Sequence, residues 1–420
     1  MIQFIPEAEK YKEFWMKEPK RQFGDDMYVP EDSMYRQIVS GNVFGFAQVD
    51  CDTPEHLREK YSDFLPLIKN TLVSIDDVGS FMKGIWTNSG QSTRPRKALI
   101  GSYWAKGIWL ATPMIQFLAS HGIVISKVHQ VAQFDKSAAF VHFGQEVTKY
   151  RRLGDQDKSM KWLGDLYKLL GNSAYGKTIT NLRAHHDVIF CDRQKAMEMH
   201  NSPYHARTVV VSPEKCYEVH SRKEKIRFGL PLTIGLFVYQ FAKLRVLSFV
   251  YDVLLEYCDR SKWILLESDT DSIYLALSTD TLEETVLPDK REAFEAIKSK
   301  WFVDDNDPMT LREPGLFKVE KSGDNFIGLS PKCYILTGAE GVKMSHKGVQ
   351  PSHNTDALTY GNYKKILFGD EGKISAMHNF GIRMGPGGRI VSYLQEKSGL
   401  GVLNIKRVFK PDGSSTPLLL

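Results

Sequence analysis

Cysteine is scarce and scattered: Cys51, Cys191, Cys216, Cys258 and Cys333 are the only five in 420 residues, and none forms a C-x-x-C pair. Neither a zinc ribbon nor a disulfide framework is signalled, and a reducing compartment is the expectation. Long hydrophobic runs are missing too. The longest apolar stretch, 230–239, is about half of a membrane span and is followed by Gln240, Lys243 and Arg245, so no membrane-spanning segment is expected. Residues 1–30 mix charged and aromatic side chains, without the basic head and apolar block of a secretory signal. No phosphate loop is present either, because Gly385-Pro-Gly-Gly-Arg389 is followed by no GKS or GKT and reads as a turn. What remains is a composition of 42% hydrophobic and 25% charged residues, enough for a large globular core divided into two to four substructures.

The net charge of +5 is modest, and its distribution says more. Between Lys149 and Lys177 stand seven basic residues against Asp155, Asp157 and Asp165, and between Lys373 and Lys410 seven more against Glu396 alone. Such regions are usually solvated faces. Two of them around a pair of carboxylates suggest a polyanionic partner that also needs metal, and nucleic acid suits that description.

The carboxylates are Asp269 and Asp271, in the string WILLESDTDSIYLAL at 263–277. Two β-prone runs around a polar turn predict a hairpin with its acids at the tip, and alternation sends Ile273, Leu275 and Leu277 to one buried face. A turn explains one such aspartate; two on a rigid apolar hairpin also suit Mg²⁺, a hard ion held by carboxylate oxygens, waters and substrate phosphates. A second pattern lies at 158–182, read as one amphipathic helix with Trp162, Leu166, Leu169 and Leu170 on its apolar side. Within it Lys168, Asn172 and Tyr175 share a face at i, i+4 and i+7, and Gly171 and Gly176 cost about 1 kcal/mol each relative to Ala, which implies close approach by another group.

Other segments complete the expected chain. A short helix follows Pro54, a loop covers 87–96, a helix covers 110–121 with Met114, Phe117 and Leu118 inward and Gly122 as its stop, and a strand covers 123–134. Residues 183–230 read as strand and turn pieces, with His185 and His186 adjacent and not ligands. A core helix runs over 232–257 on Ile234, Phe237, Phe241, Leu244 and Leu247. A charged helix at 289–301 and a solvated turn at Asp304, Asp305 and Asp307 come next. Segments 315–320 and 332–337 read as strands, with Lys332 and Tyr334 on one side of the second, and the last 75 residues read as helix and loop.

Three of these strings together resemble the family B DNA polymerases. KLLGNSAYG carries the fingers motif K-x-x-x-N-S-x-Y-G at Lys168, Asn172, Ser173, Tyr175 and Gly176. ESDTDS carries the palm motif Y-x-D-T-D-S with Glu267 in place of Tyr, and SPKCYIL supplies K-x-Y at Lys332 and Tyr334. Ninety-seven residues separate Asn172 from Asp269, which points to an insertion at 183–230 of the kind that protein-primed members carry. The phrases LATPMIQFLASHG, FVYQFAKLRVLSFVYD, SHKGV and KRVFKPDGSSTPL are most similar to the enzymes of Polinton (Maverick) transposons and related large DNA viruses.

The resemblance implies an α+β right-hand polymerase fold: a partial palm with an antiparallel sheet, helical fingers and a thumb, with no exonuclease domain. Its parts would be palm and insertion at 1–157, fingers at 158–231, palm with the acidic hairpin at 232–337, and a thumb-like region at 338–420. The implied reaction is DNA-directed DNA synthesis, with two Mg²⁺ ions assisting attack of a primer 3′-OH on a deoxynucleoside triphosphate. Asp269 and Asp271 would be the catalytic, metal-binding pair. Lys168, Asn172 and Tyr175 would bind the nucleotide, and Gly176, Thr270, Lys332, Tyr334 and Lys347 would contact DNA. Partners would be primer–template DNA, deoxynucleotides and a terminal protein primer, with no membrane. The earlier palm motif D-x-x-S-L-Y-P is not found, its nearest string being Asp32-Ser-Met-Tyr35, so the chain is expected to be N-terminally truncated and weakly active alone. The alternative is a non-catalytic nucleic-acid-binding remnant.

Overall fold

Alternating apolar and polar residues make Gly45–Asp52 a strand that the sequence reading passed over, and it is the centre of the largest part of the fold. It pairs antiparallel with Trp104–Ala111 on one side and Val124–Gln133 on the other. A side chain at Gly45 would place its first carbon 2.0 Å from the Ala132 carbonyl oxygen, so only glycine lets that strand close. The computed structural model describes residues 33–213, 215–369, 377–384, 389–397 and 399–420. They form a mixed α+β protein with small antiparallel sheets.

The chain divides into two compact units, one of residues 1–173, 236–344 and 402–420, the other of 174–235 and 345–401. In the first, helix Thr112–Ser120 buries Met114, Phe117 and Leu118 as expected. It stops where Gly122 turns left-handed (φ 80°) and the N–H groups of Gly122 and Ile123 return to the carbonyls of Ala119 and Leu118. The core helix runs through Leu232–Ser248, widens into a π turn at Phe249–Leu254 and ends at Tyr257. By length and composition this 26-residue run would suffice to cross a membrane, which the ten-residue apolar stretch does not convey; here Leu244, Leu247, Val250 and Leu254 are enclosed in the core. Its polar residues are accommodated individually. Lys243 donates to the Pro66 carbonyl (3.2 Å), burial pushing its ammonium down to about 7, and the Arg245 guanidinium lies 3.6 Å from the Trp301 ring centroid.

Several expectations change. The apolar side of helix Lys161–Thr178 is open: Trp162 and Leu169 are each 62% exposed, and Leu166 and Leu170 are exposed as well. Its packing runs along glycine instead. Helix Val141–Gln156 crosses so near that a side chain at Gly154 would stand 2.8 Å from the Gly164 Cα, Tyr150 and Tyr167 stack at 4.3 Å, and Val147 approaches Gly171. Residues 315–320 form no strand; Phe317 makes one isolated bridge to Phe302. The last 75 residues hold strands, Met377–Met384 with Ile390–Lys397 and Arg407–Phe409 with Ser415–Pro417. Of the string 32–35, Asp32 lies outside the described residues and Ser33 caps helix Met34–Val39, a helical setting rather than a strand. Residues 1–30 and most of the 385–389 turn also lie outside the description.

The second unit contains the three-stranded sheet of His186–Cys191, Cys216–Arg222 and His205–Ser212, with Cys216–Arg222 central and helix Arg193–His200 against it. Elsewhere in that unit the Tyr363 hydroxyl bonds to His346 Nδ1, and Asn354 ties the Gln350 and His378 carbonyls together.

Candidate active site

The acidic hairpin forms as the alternation predicts. Trp263–Asp269 pairs antiparallel with Ser272–Leu277, and Trp263, Leu265, Ile273, Leu275 and Leu277 all lie in or against the core. Among the described residues the sheet has only these two strands, and on its other face Ile264 is 61% exposed. Two residues, Thr270 and Asp271, make the turn. The Asp271 N–H reaches the Asp269 carbonyl at 2.7 Å, closing the loop over Thr270, whose φ is 61°. A β-branched residue in that left-handed conformation costs about 1–2 kcal/mol.

A second hairpin, Asn325–Ser330 with Cys333–Gly338, meets the first at its tip. Pro331 and Lys332 form its turn, and Lys332 has φ 63°, a backbone conformation in which glycine is usual. Lys332 is therefore outside the strand, and the expected alternation of Lys332 with Tyr334 does not apply. The turn itself directs the side chain: the Lys332 ammonium pairs with Asp269 Oδ1, which also accepts from Thr270 Oγ1 at 3.0 Å. The Lys332 backbone N–H donates to Glu267 Oε1 at 3.0 Å. Three non-glycine residues among those described are left-handed, and two of them, Thr270 and Lys332, lie at this contact.

Beneath it the Tyr274 and Tyr334 hydroxyls bond to each other, their rings 4.7 Å apart and each 5.8 Å from Phe326. Burial, with the bond to Tyr274 adding to it, raises the Tyr334 phenol well above its ordinary value. Burial likewise raises the Glu267 carboxyl, against the opposing pull of the Lys332 N–H. Glu267, Tyr274 and Phe326 were not picked out from sequence. Glu267 carried a signal nevertheless, being the one position at which ESDTDS departs from the string it resembles.

The remaining residues expected at the site lie on other elements. Lys168 and Asn172 are exposed on helix Lys161–Thr178, where one face does carry Lys168, Asn172 and Tyr175. Among the described residues no hydrogen bond or ion pair joins Lys168 or Asn172 to the two hairpins. The close approach inferred for the glycines is explained at Gly171 by Val147, whereas a side chain at Gly176 would meet nothing within 4 Å. Tyr175, Gly176 and Lys347 belong to the second unit, Lys347 exposed next to Gly348 (φ 75°).

Whether these groups suit two Mg²⁺ ions follows from the donor set. Among the described residues no three His, Cys, Asp or Glu side chains gather for a metal. Asp269 already holds Lys332 and Thr270, which leaves the exposed Asp271 carboxylate. That set fits one Mg²⁺ held through a single carboxylate and a triphosphate's oxygens, and does not fit a two-ion cage. Asp304 and Asp307 accept from the backbone N–H groups of Asn306 and Met309, as expected of a solvated turn.

No family model matches this chain, and no curated protein or solved structure is found to match it.

Proposed function

We propose that this chain is a DNA-directed DNA polymerase of the family B type, whose two clasped hairpins take the primer end. The observation that carries this reading is the Lys332–Asp269 pair at the junction of two strained turns, beside the open Asp271. Backbone strain of this kind persists only where surrounding contacts hold it, and it gathers at binding and catalytic sites. The right-hand polymerase fold is part of the same proposal.

In this reading Lys332, half exposed, exchanges Asp269 for a primer phosphate, and the Tyr274–Tyr334 bond keeps the strand beneath it rigid. Lys168, Asn172 and Tyr175 present a cation, an amide and a phenol to the triphosphate of an incoming nucleotide. Asp271 would hold a Mg²⁺ ion, which when bound neutralises charge on the transferring phosphoryl group. With no third acidic side chain gathered with Asp269 and Asp271 for a metal among the described residues, catalysis by this chain alone should be weak.

The test is extension of a labelled primer–template with deoxynucleotides and Mg²⁺, alongside binding of the same DNA. Extension abolished by Asp271→Ala supports the polymerase. The same Asp269–Lys332 pairing favours a second reading, nucleic-acid binding without catalysis, for which DNA would bind through Lys332 and no primer would lengthen. Absence of both binding and extension would discard the two together.

A further inference from the structure

Lys332 is an odd residue for its place. The second central position of its turn favours glycine, and Pro331 ahead of it rules out a turn that is left-handed at both central positions. Lysine is held there from outside the turn, because its N–H donates to Glu267 Oε1 across the junction of the hairpins. Glu267 pairs in register with Tyr274, one strand position beyond a bulge at Leu266, so its backbone is fixed in the hairpin. Gly328, opposite, leaves space beside Glu267 Oε2 that a larger residue would narrow.

We propose that Glu267 is a positioning residue: it locks the Pro331–Lys332 turn and thereby sets the Lys332 ammonium where it can receive a nucleic-acid phosphate. This rests on the polymerase reading for its ligand, though not for the lock. The lock has a consequence opposite to simple electrostatics. Removing a carboxylate from a polyanion site should tighten binding. If Glu267 positions Lys332, removing it weakens binding.

Binding of a primer–template duplex is to be followed by fluorescence anisotropy over a range of salt, with thermal melts as a control of folding. Glu267→Ala should weaken binding about tenfold, the equivalent of a lost charge-assisted hydrogen bond, and lower the salt slope by about one phosphate contact, as Lys332→Ala does. The double variant should be no weaker than Lys332→Ala alone. Glu267→Gln, which keeps the acceptor and drops the charge, should bind at least as well as the unaltered protein. Hydrogen exchange at the Lys332 amide gives a readout independent of DNA: it should be slow in the unaltered protein and in Glu267→Gln, and fast in Glu267→Ala. Unchanged exchange in Glu267→Ala overturns the lock. Fast exchange with unchanged or tighter DNA binding overturns its link to the site. A protein that binds no DNA before any substitution sinks the polymerase reading and that link together, while the exchange data still judge the lock.

Discussion

The Lys332 ammonium pairs with the Asp269 carboxylate across the tips of two hairpins, with one left-handed residue in each turn. The pair is partly exposed, and such ion pairs contribute about 0–1 kcal/mol to stability. The turns cost as much or more, so the site is arranged against stability, as functional sites often are.

Relief of that strain should be measurable. Lys332→Gly should unfold in denaturant at higher stability than Lys332→Ala by about 1 kcal/mol, because both lose the ammonium and only glycine accepts the left-handed backbone freely. Thr270→Gly should be more stable than the unaltered protein by about 1 kcal/mol. Equal stabilities of the Gly and Ala variants at 332 would show that the turn relaxes.

The glycines of helices Val141–Gln156 and Lys161–Thr178 should separate by neighbour. Gly154→Ala drives a methyl into the backbone of the facing helix and should cost about 2 kcal/mol or more. Gly176→Ala meets nothing and should gain about 0.5–1 kcal/mol from helix propensity. If Gly176 makes room for a template base, the same substitution lowers primer extension while the melting temperature rises.

The open face of helix Lys161–Thr178 allows a contrast with the true core. Leu169→Ala should change stability by about 0.5 kcal/mol or less, whereas Leu244→Ala, fully buried, should cost about 2–5 kcal/mol. Equilibrium unfolding of the two variants decides this.

Acid and base should act on opposite sides of a stability maximum. Glu267, raised by burial, makes the folded state bind more protons than the unfolded one above the ordinary value of 4.5. Its contribution is therefore present below that value and lost as pH rises through the folded pKa. Asp155 is lowered, first by its hydrogen bonds to Arg312. Its contribution is present above the ordinary 3.8 and lost as pH falls through the folded pKa. Melting temperature against pH should flatten on the high side in Glu267→Gln and on the low side in Asp155→Asn.

Period-two alternation made the acidic hairpin legible from sequence, and helical spacing with a glycine stop did the same for 110–122. The strand Gly45–Asp52 escaped because its Gly, Ala, Gln and Asp residues lack β-branching, and its burial comes from the two strands beside it. The leucines at 166, 169 and 170 read as core because amphipathicity says which face is apolar, not which face is covered. At the site, the order of Asp269, Asp271, Lys332 and Tyr334 in sequence was plain. The role of Glu267 was not, since a hydrogen bond to a backbone N–H 65 positions away leaves no local pattern.

The Asp269 carboxylate is, toward Lys332, an anion on a tether. Its effective concentration at the ammonium is on the order of millimolar or above, since the first hairpin is anchored in the core and the second buries Ile327, Leu329 and Ile335. Dilute inorganic phosphate or sulfate then competes poorly for that cation, whereas a chain of linked phosphates, gripping at several points together, can displace the carboxylate. In the proposed polymerase the pair would act as a threshold, admitting a polymer and turning away its monomeric salts.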